Sequence, residues 1–164
     1  NLRRLADRDP LTALENRRAL PEVFRKVQPE GGTVLFLDLD DFKQINDLHG
    51  HAVGDECLVR FASGVRESFR PTDAVIRYGG DEFVVILTRT DLHGARRVAE
   101  ALRAGIEGVG RRLGYDVGVV TVSIGLAEFD PNNPVEGDLL VTADRALYQA
   151  KSTGRNAVAN EGAA

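Results

Sequence analysis

The chain has one cysteine, no methionine and only 6% aromatic residues in 164 positions. The lone thiol, Cys57, excludes an internal disulfide and fits a reducing compartment. Lying beside the apolar stripe of a predicted helix, it reads as a small buried hydrophobe. No apolar run approaches the roughly 20 residues that a membrane span needs, and no basic-plus-apolar signal segment opens the chain. A soluble, cytoplasmic piece with no membrane contact of its own is therefore expected, either free or as the cytoplasmic part of a membrane-bound sensor. Basic surface is scarce as well. Against 25 Asp and Glu stand 21 Lys and Arg, a net charge of −4, so the broad cationic face demanded by duplex nucleic acid or anionic lipid is absent. An anionic substrate would have to be met by metal ions or by a few local cations.

With 43% hydrophobic and 28% charged residues, the length suits one globular domain able to bury its own core. The missing methionine and the opening Asn1-Leu2-Arg3-Arg4-Leu5-Ala6 predict that residues 1–8 end a helix entering from an upstream sensory or regulatory domain. The domain itself is expected over 9–160, with a short tail at 161–164.

Asn16 is placed to cap a helix running toward Val27, on which Leu20, Val23, Phe24 and Val27 are apolar, although Pro21 leaves its true start open. Gly31-Gly32 breaks the chain before an unbroken apolar run, which predicts a central strand over 33–39 buried on both faces, with Asp38 near its carboxyl end. Short and long helices follow over 41–48 and 55–69. Strands over 74–78 and 82–88 flank Gly79-Gly80, a pair suited to a two-residue hairpin turn. Next come a helix over 92–106, a long strand around 117–127, a helix carrying Leu139 to Ala150 that Gly154 ends, and a short strand at 156–159. Helices alternate with strands, but the hairpin breaks the alternation. The expected fold is thus an α/β (α+β) sandwich with a mixed sheet.

The chemistry concentrates at strand ends. Mg²⁺ takes hard oxygen ligands, commonly one or two carboxylates with phosphate oxygens and waters completing the octahedron. Asp38, and Asp81 in the adjacent pair Asp81-Glu82, would supply that minimum if the two strands converge. Two such ions about 3.5 to 4 Å apart suit nucleotidyl transfer. Taken alone, Asp81 and Glu82 are equally well read as polar hairpin residues. The stretch from Asp38 to Asp55 carries more polar side chains than a solvated helix face explains. Asn46 both donates and accepts, and Asp55 accepts two hydrogen bonds, a pairing that suits guanine's N1-H and N2-H₂ donors; Asp55 as a helix cap and Asn46 as a surface amide stay open. Lys151 and Arg155 complement the dipole of the last helix, or hold a triphosphate if this end folds back on the strand tips.

The segments DPLTALENRR at 9–18, DLDDFKQINDLHGHAVGD at 38–55, RYGGDEF at 77–83, TVSIGLA at 121–127 and ADRALYQAKSTGRN at 143–156 together resemble the GGDEF-domain diguanylate cyclases, which condense two GTP into cyclic di-GMP. The resemblance implies a palm-like mixed sheet wrapped by helices, similar to class III nucleotide cyclase catalytic domains. It implies Mg²⁺ or Mn²⁺, two ions per half-site, held by Asp38, Asp81 and the carbonyl of Leu39. Asp81 would also be the base for the ribose 3′-hydroxyl, with Glu82 secondary. Asn46 and Asp55 would read guanine, with His51 near the nucleoside. The amides of Asp41 and Phe42, with Lys43, Lys151 and Arg155, would hold the phosphates, and Lys43 would stabilise the transition state. A homodimer is implied for catalysis, and Arg70 with Asp73 matches the family's RxxD inhibitory motif for the product. One departure is Ala13 with Glu15, where the family more often has Gly in LTGLxNRR. Rival readings are a receptor that binds without catalysis, a cyclase of other nucleotide choice, and a purely dimerising module.

Overall fold

The computed structural model describes residues 7–106, 108–109, 120–132 and 136–161. Its strands are β1 (Glu15–Asn16), β2 (Gly32–Leu39), β3 (Ala74–Arg77), β4 (Glu82–Thr88), β5 (Val122–Phe129) and β6 (Val158–Asn160); its helices are α1 (Leu20–Val27), α2 (Phe42–His49), α3 (His51–Ser68), α4 (Leu92–Ile106) and α5 (Glu136–Ser152). The six strands form one mixed sheet in the order β1-β3-β4-β2-β5-β6. Strand β2 is antiparallel to both β4 and β5, whereas β1 runs parallel to β3 and β6 parallel to β5.

All eight residues of β2 are buried, as its continuous apolar run requires of a strand covered on both faces. Alternation splits its side chains. Leu35 and Leu37 join Phe61 of α3 and Leu102 of α4 in one apolar cluster. Val34 and Phe36 join Phe24 of α1 and Leu147 of α5 in the other. Asp38 continues the second set, so it emerges on the α5 side of the sheet. Gly125 of β5 lets α5 come close: a Cβ there would lie 2.2 Å from both the Ala143 carbonyl oxygen and the Leu147 amide nitrogen.

Several expectations are corrected. The signature loop is not a two-residue turn. Tyr78 and Gly79 both donate to the Glu82 carbonyl, at 2.8 and 3.1 Å, and neither Gly79 nor Gly80 takes a positive φ. The loop is widened because Arg77 grips the Gly80 carbonyl at 2.8 Å. The long helix begins at His51, so Asp55 lies inside it and is no cap; Gly50, at φ 89°, ends α2 and turns the chain straight into α3. Strand β5 covers 122–129 rather than 117–127, and the part of that expectation at 117–119 falls outside the described residues. Arg8 forms a β-bridge with Glu15, so the helix expected to end at residue 8 does not reach it; positions 1–6 lie outside the description. Asn16 caps a 3-10 turn, its side chain accepting from the Arg18 amide at 2.9 Å, and the α-helix proper starts at Leu20. Ala13 sits at φ 63°, the left-handed region that glycine occupies without strain, which gives a backbone reason for the glycine found there in the resembling family. Among the described residues, no helix is long and apolar enough to cross a membrane.

Candidate active site

Where β2 ends, the Leu39 amide donates to the Asp81 carbonyl at 3.3 Å. This backbone bond stitches the strand end to the signature loop and brings the carboxylates of Asp38 and Asp81 together. Lys151, from the last turn of α5, makes an ion pair with Asp38 Oδ2. The other oxygen, Asp38 Oδ1, is buried and accepts no hydrogen bond. Burial first, and then the Asp81 carboxylate, push the Asp38 pKa up to about 7 against the opposing pull of Lys151. Glu82 is also raised, by burial and then by the charges of Asp81 and Asp144, with Lys151 and Arg17 opposing.

Asp38 titrates higher in the folded than in the unfolded chain, so the folded state holds the extra proton between its ordinary value near 3.8 and about 7. Stability of the metal-free protein should therefore fall as pH rises through that window. Mg²⁺ competes for the ionised form and should reverse the trend. Thermal melts at pH 5 and pH 7.5, with and without Mg²⁺, check both signs.

Two carboxylates in contact, one with a buried oxygen lacking any donor, form a donor set that a hard cation completes. Among the described residues, no group of three or more His, Cys, Asp or Glu is arranged to hold a metal. The protein's side-chain share is this pair, which suits a cation that keeps backbone carbonyl, phosphate and water oxygens as its remaining ligands.

Beyond the pair, Asp41 takes a left-handed φ of 55° and opens α2, whose first amides belong to Phe42 and Lys43. Arg155 Nε lies 3.7 Å from Asp41 Oδ1. The end of α5 therefore does fold back on the strand tips, with Lys151 on Asp38 and Arg155 on Asp41. Asn46 is half-buried, and its Oδ1 lacks a partner. It rests against Gly54, where a Cβ would lie 1.8 Å from that oxygen. The next residue along α3 is Asp55, so the structure brings Asn46 to the helical turn that carries Asp55. Asp55, His51 and Lys43 are all exposed.

The signature loop has supports that the sequence did not reveal. Arg77 donates to both Asp9 carboxylate oxygens at 3.1 Å, while Asp9 also accepts from the Thr12 amide and hydroxyl at 2.8 and 2.7 Å. Arg17 stacks 4.3 Å above the Tyr78 ring. These links tie the DPLT turn and the NRR segment to the loop that bears Asp81. Arg and Asp 68 residues apart show no spacing signal, although the matching charges were there to be paired.

On the far side of β4, Arg70 is clamped to Asp73 through Nε and Nη2 at 3.0 and 2.8 Å, and Nη2 also donates to the Thr88 carbonyl at 2.7 Å. The pair lines a cleft of about 580 Å³ whose walls include Phe69, Leu87, Val98 and Arg97. Arg97 was missed because on α4 it reads as one of several solvated arginines.

A mixed sheet of this order, helix-covered on both faces with an acidic pair at the junction of two central antiparallel strands, is the palm-like fold of nucleotide cyclase catalytic domains. Residues 6–157 match the family "Diguanylate cyclase, GGDEF domain", and the chain belongs to that family. It is 40% identical to the response regulator PleD of Caulobacter vibrioides over 97% of this chain and 37% of that protein. It is 39% identical to the diguanylate cyclase DosC of Escherichia coli over 92% of this chain and 34% of that protein. The chain thus spans little more than a third of these curated relatives. Among solved structures, the GGDEF domain of DgcB from Caulobacter crescentus, in complex with c-di-GMP, superposes with a TM-score of 0.86 at 32% identity, covering 94% of this chain and 95% of that one.

Proposed function

We propose that this domain is a diguanylate cyclase that joins two GTP molecules into cyclic di-GMP with release of two pyrophosphates. The observation that carries the reading is the junction of β2 with the signature loop, where the Leu39 amide bonds the Asp81 carbonyl at 3.3 Å beside Asp38, with one buried Asp38 oxygen left without a donor. Asp38, Asp81 and the Leu39 carbonyl would hold Mg²⁺ or Mn²⁺, two ions per half-site, which when bound supply Lewis-acid polarisation and charge neutralisation at the phosphates.

The chain's own residues do the rest. Asn46 and Asp55 select guanine, Asn46 through an oxygen that awaits a donor; His51, at the start of the same helix, borders the nucleoside. The amides of Asp41 and Phe42 at the start of α2, with Lys43, Lys151 and Arg155, hold the triphosphate at a helix N-terminus. Asp81 takes the 3′-hydroxyl proton, and the freed oxygen attacks the α-phosphorus of the opposing GTP as pyrophosphate leaves. Lys43 offsets the charge that develops there, and Glu82 acts as an accessory carboxylate.

One domain positions one GTP, whereas the product has two equivalent linkages. Two copies must therefore face each other across a two-fold axis, with each half-site supplying the other's electrophile. Upstream segments in the full-length protein would control that encounter. The test is incubation of an artificially dimerised chain with GTP and Mg²⁺, read by mass spectrometry. Cyclic di-GMP and pyrophosphate in a 1:2 ratio are expected, with the undimerised chain showing turnover per protein that rises with concentration. Absence of the cyclic product from the dimerised chain refutes the reading.

The Arg70 cleft is assigned to the product. Its volume suits a nucleotide-sized ligand, Arg70, whose Nε and Nη2 are held by Asp73 and Thr88, has Nη1 left to donate to guanine's acceptor edge, and Arg97 adds a second guanidinium on the same wall. DgcB and other family members are known in complex with c-di-GMP. Arg70→Ala should weaken cyclic di-GMP binding at least tenfold in calorimetry while leaving turnover at low product unchanged. Equal binding by the variant and the parent chain would remove the cleft from the account.

A further inference from the structure

One buried acid near the active site has no part in the scheme above. Asp40 follows Asp38 on the same face of the chain, toward α5, and is 6% exposed. Its Oδ1 accepts from Ser123 Oγ at 2.7 Å, and its Oδ2 from Thr121 Oγ1 at 2.7 Å and from the Asn156 amide at 3.0 Å. Its own amide donates to the Thr121 carbonyl at 2.9 Å. Among the described residues no cation pairs with this buried carboxylate, which is unusual, and three donors converging on it mark a structural junction. The junction joins three pieces: the end of β2, the start of β5, and the turn between α5 and β6.

That turn is conformationally demanding. Gly154, Arg155 and Asn156 have φ of 119°, 64° and 46°, and the two non-glycine residues stay left-handed only because their surroundings hold them there. Asp40 accepts from the Asn156 amide, and Arg103 Nη1 donates to Asn156 Oδ1 at 3.0 Å. Arg103 ties the turn to α4, and the bond from the Ile124 amide to the Ala157 carbonyl, at 2.9 Å, ties it to β5. Two contacts described for this turn link it to the strand end that bears Asp38: the buried bond to Asp40 and the exposed Arg155–Asp41 ion pair at 3.7 Å.

We propose that Asp40 is a positioning residue, whose carboxylate fixes the turn after α5 so that Lys151 and Arg155 stand over the Asp38–Asp81 pair. The proposal rests on the reading of those two cations as phosphate ligands. Asp38 on β2 and Asp40 just past its end act as two rungs on one face of the chain, the first gripping Lys151 and the second gripping the backbone five residues later. Were Lys151 to leave Asp38 for a phosphate, the first rung would open and Asp40 would keep the turn in place. Asparagine would keep much of this arrangement: with its oxygen toward Thr121 Oγ1 and the Asn156 amide, its NH₂ would face Ser123 Oγ, a hydroxyl that also accepts, so the informative change removes the whole acceptor set.

The test titrates the whole chain, with Mg²⁺, against 3′-deoxy-GTP, which lacks the attacking hydroxyl, and against guanosine, which lacks the phosphates. Asp40→Ala, which removes both acceptors, should weaken 3′-deoxy-GTP about tenfold and leave guanosine within twofold, and amide exchange should show Asn156 losing protection while the β2 core amides keep theirs. Thr121→Val, which removes one donor and spares the Asn156 bond, should shift the same ratio by about threefold. It carries the test if Asp40→Ala fails to fold. Equal weakening of both ligands, or an unchanged ratio, overturns the positioning role and leaves the cyclase reading standing. A parent chain that binds guanosine no less tightly than 3′-deoxy-GTP removes the phosphate ligands themselves, and both claims fall together.

Discussion

Replacing Asp81 with alanine is expected to abolish cyclic di-GMP formation, by about a thousandfold or more, in a protein that still folds. Removing a positioned general base alone costs roughly 10² to 10⁴ in rate, and the same change deletes one of the two carboxylates that would hold the metal. The fold should survive because the stitch between β2 and the loop uses the Asp81 backbone carbonyl rather than its side chain, and that side chain is only half-buried. A second effect separates the assignment from generic damage. Part of the upward push on the Asp38 pKa comes from Asp81, so in the variant Asp38 should titrate closer to an ordinary carboxylate and the loss of metal-free stability with rising pH should shrink. Product by mass spectrometry and melts across pH report the two effects. A variant as active as the parent chain would end the assignment of Asp81 as base and ligand.

How far the sequence carries this site depends on the range of the interactions involved. Helix α4 is legible with both of its bounds, Leu92 and Ile106, because Ala95, Val98, Ala99, Leu102 and Ile106 repeat at helical spacing. Strand β2 was equally legible, since an apolar run that long fits only a doubly covered strand. Asp38 and Asp81 could be named as strand-end acids. What could not be read was set by contacts across the chain. The Gly79-Gly80 loop looked like a two-residue turn because nothing local says that Arg77 will pull on the Gly80 carbonyl and anchor itself to Asp9. Asp55 looked like a cap until Gly50 showed that α3 starts four residues earlier. Strand β1 is two residues long, too short for any alternation to register. Asp40 reads as one more solvated acid in an acidic run, and only the β2–β5 pairing, 83 residues away at Ser123, makes it a buried junction. Lys151 had a sufficient local explanation in the dipole of its own helix, so its pairing with Asp38 was open until the fold closed.

Gly125→Val is expected to be the most destabilising single change outside the apolar core. On the face of β5 turned toward α5, the residues run Ser123, Gly125, Ala127 and Phe129, and the helix comes nearest at the glycine. A Cβ at 125 would meet backbone on three sides, at 2.2 Å from the Ala143 carbonyl oxygen, 2.2 Å from the Leu147 nitrogen and 2.8 Å from Leu147 Cα. Backbone cannot rotate away as a side chain can, so α5 must move outward by about 1 Å or more to restore ordinary contact, and valine adds two further methyl groups. Overpacking of this kind costs roughly 1 to 3 kcal/mol and occasionally more. The expectation here is about 3 kcal/mol, a large share of the roughly 5 to 15 kcal/mol that holds a domain together. At about 2 to 4 °C per kcal/mol for a chain of this size, the melting temperature should fall by roughly 6 to 12 °C. Gly125→Ala should already show much of the loss, because the collision begins at Cβ. The displacement also has a direction: α5 carries Lys151, so the molecules that remain folded should have that ammonium drawn away from Asp38 and should bind the triphosphate more weakly than the guanine nucleoside. A valine variant that melts with the parent chain would mean that the helix does not sit on this strand as closely as described, and the placement of Lys151 over the carboxylate pair would lose its structural basis.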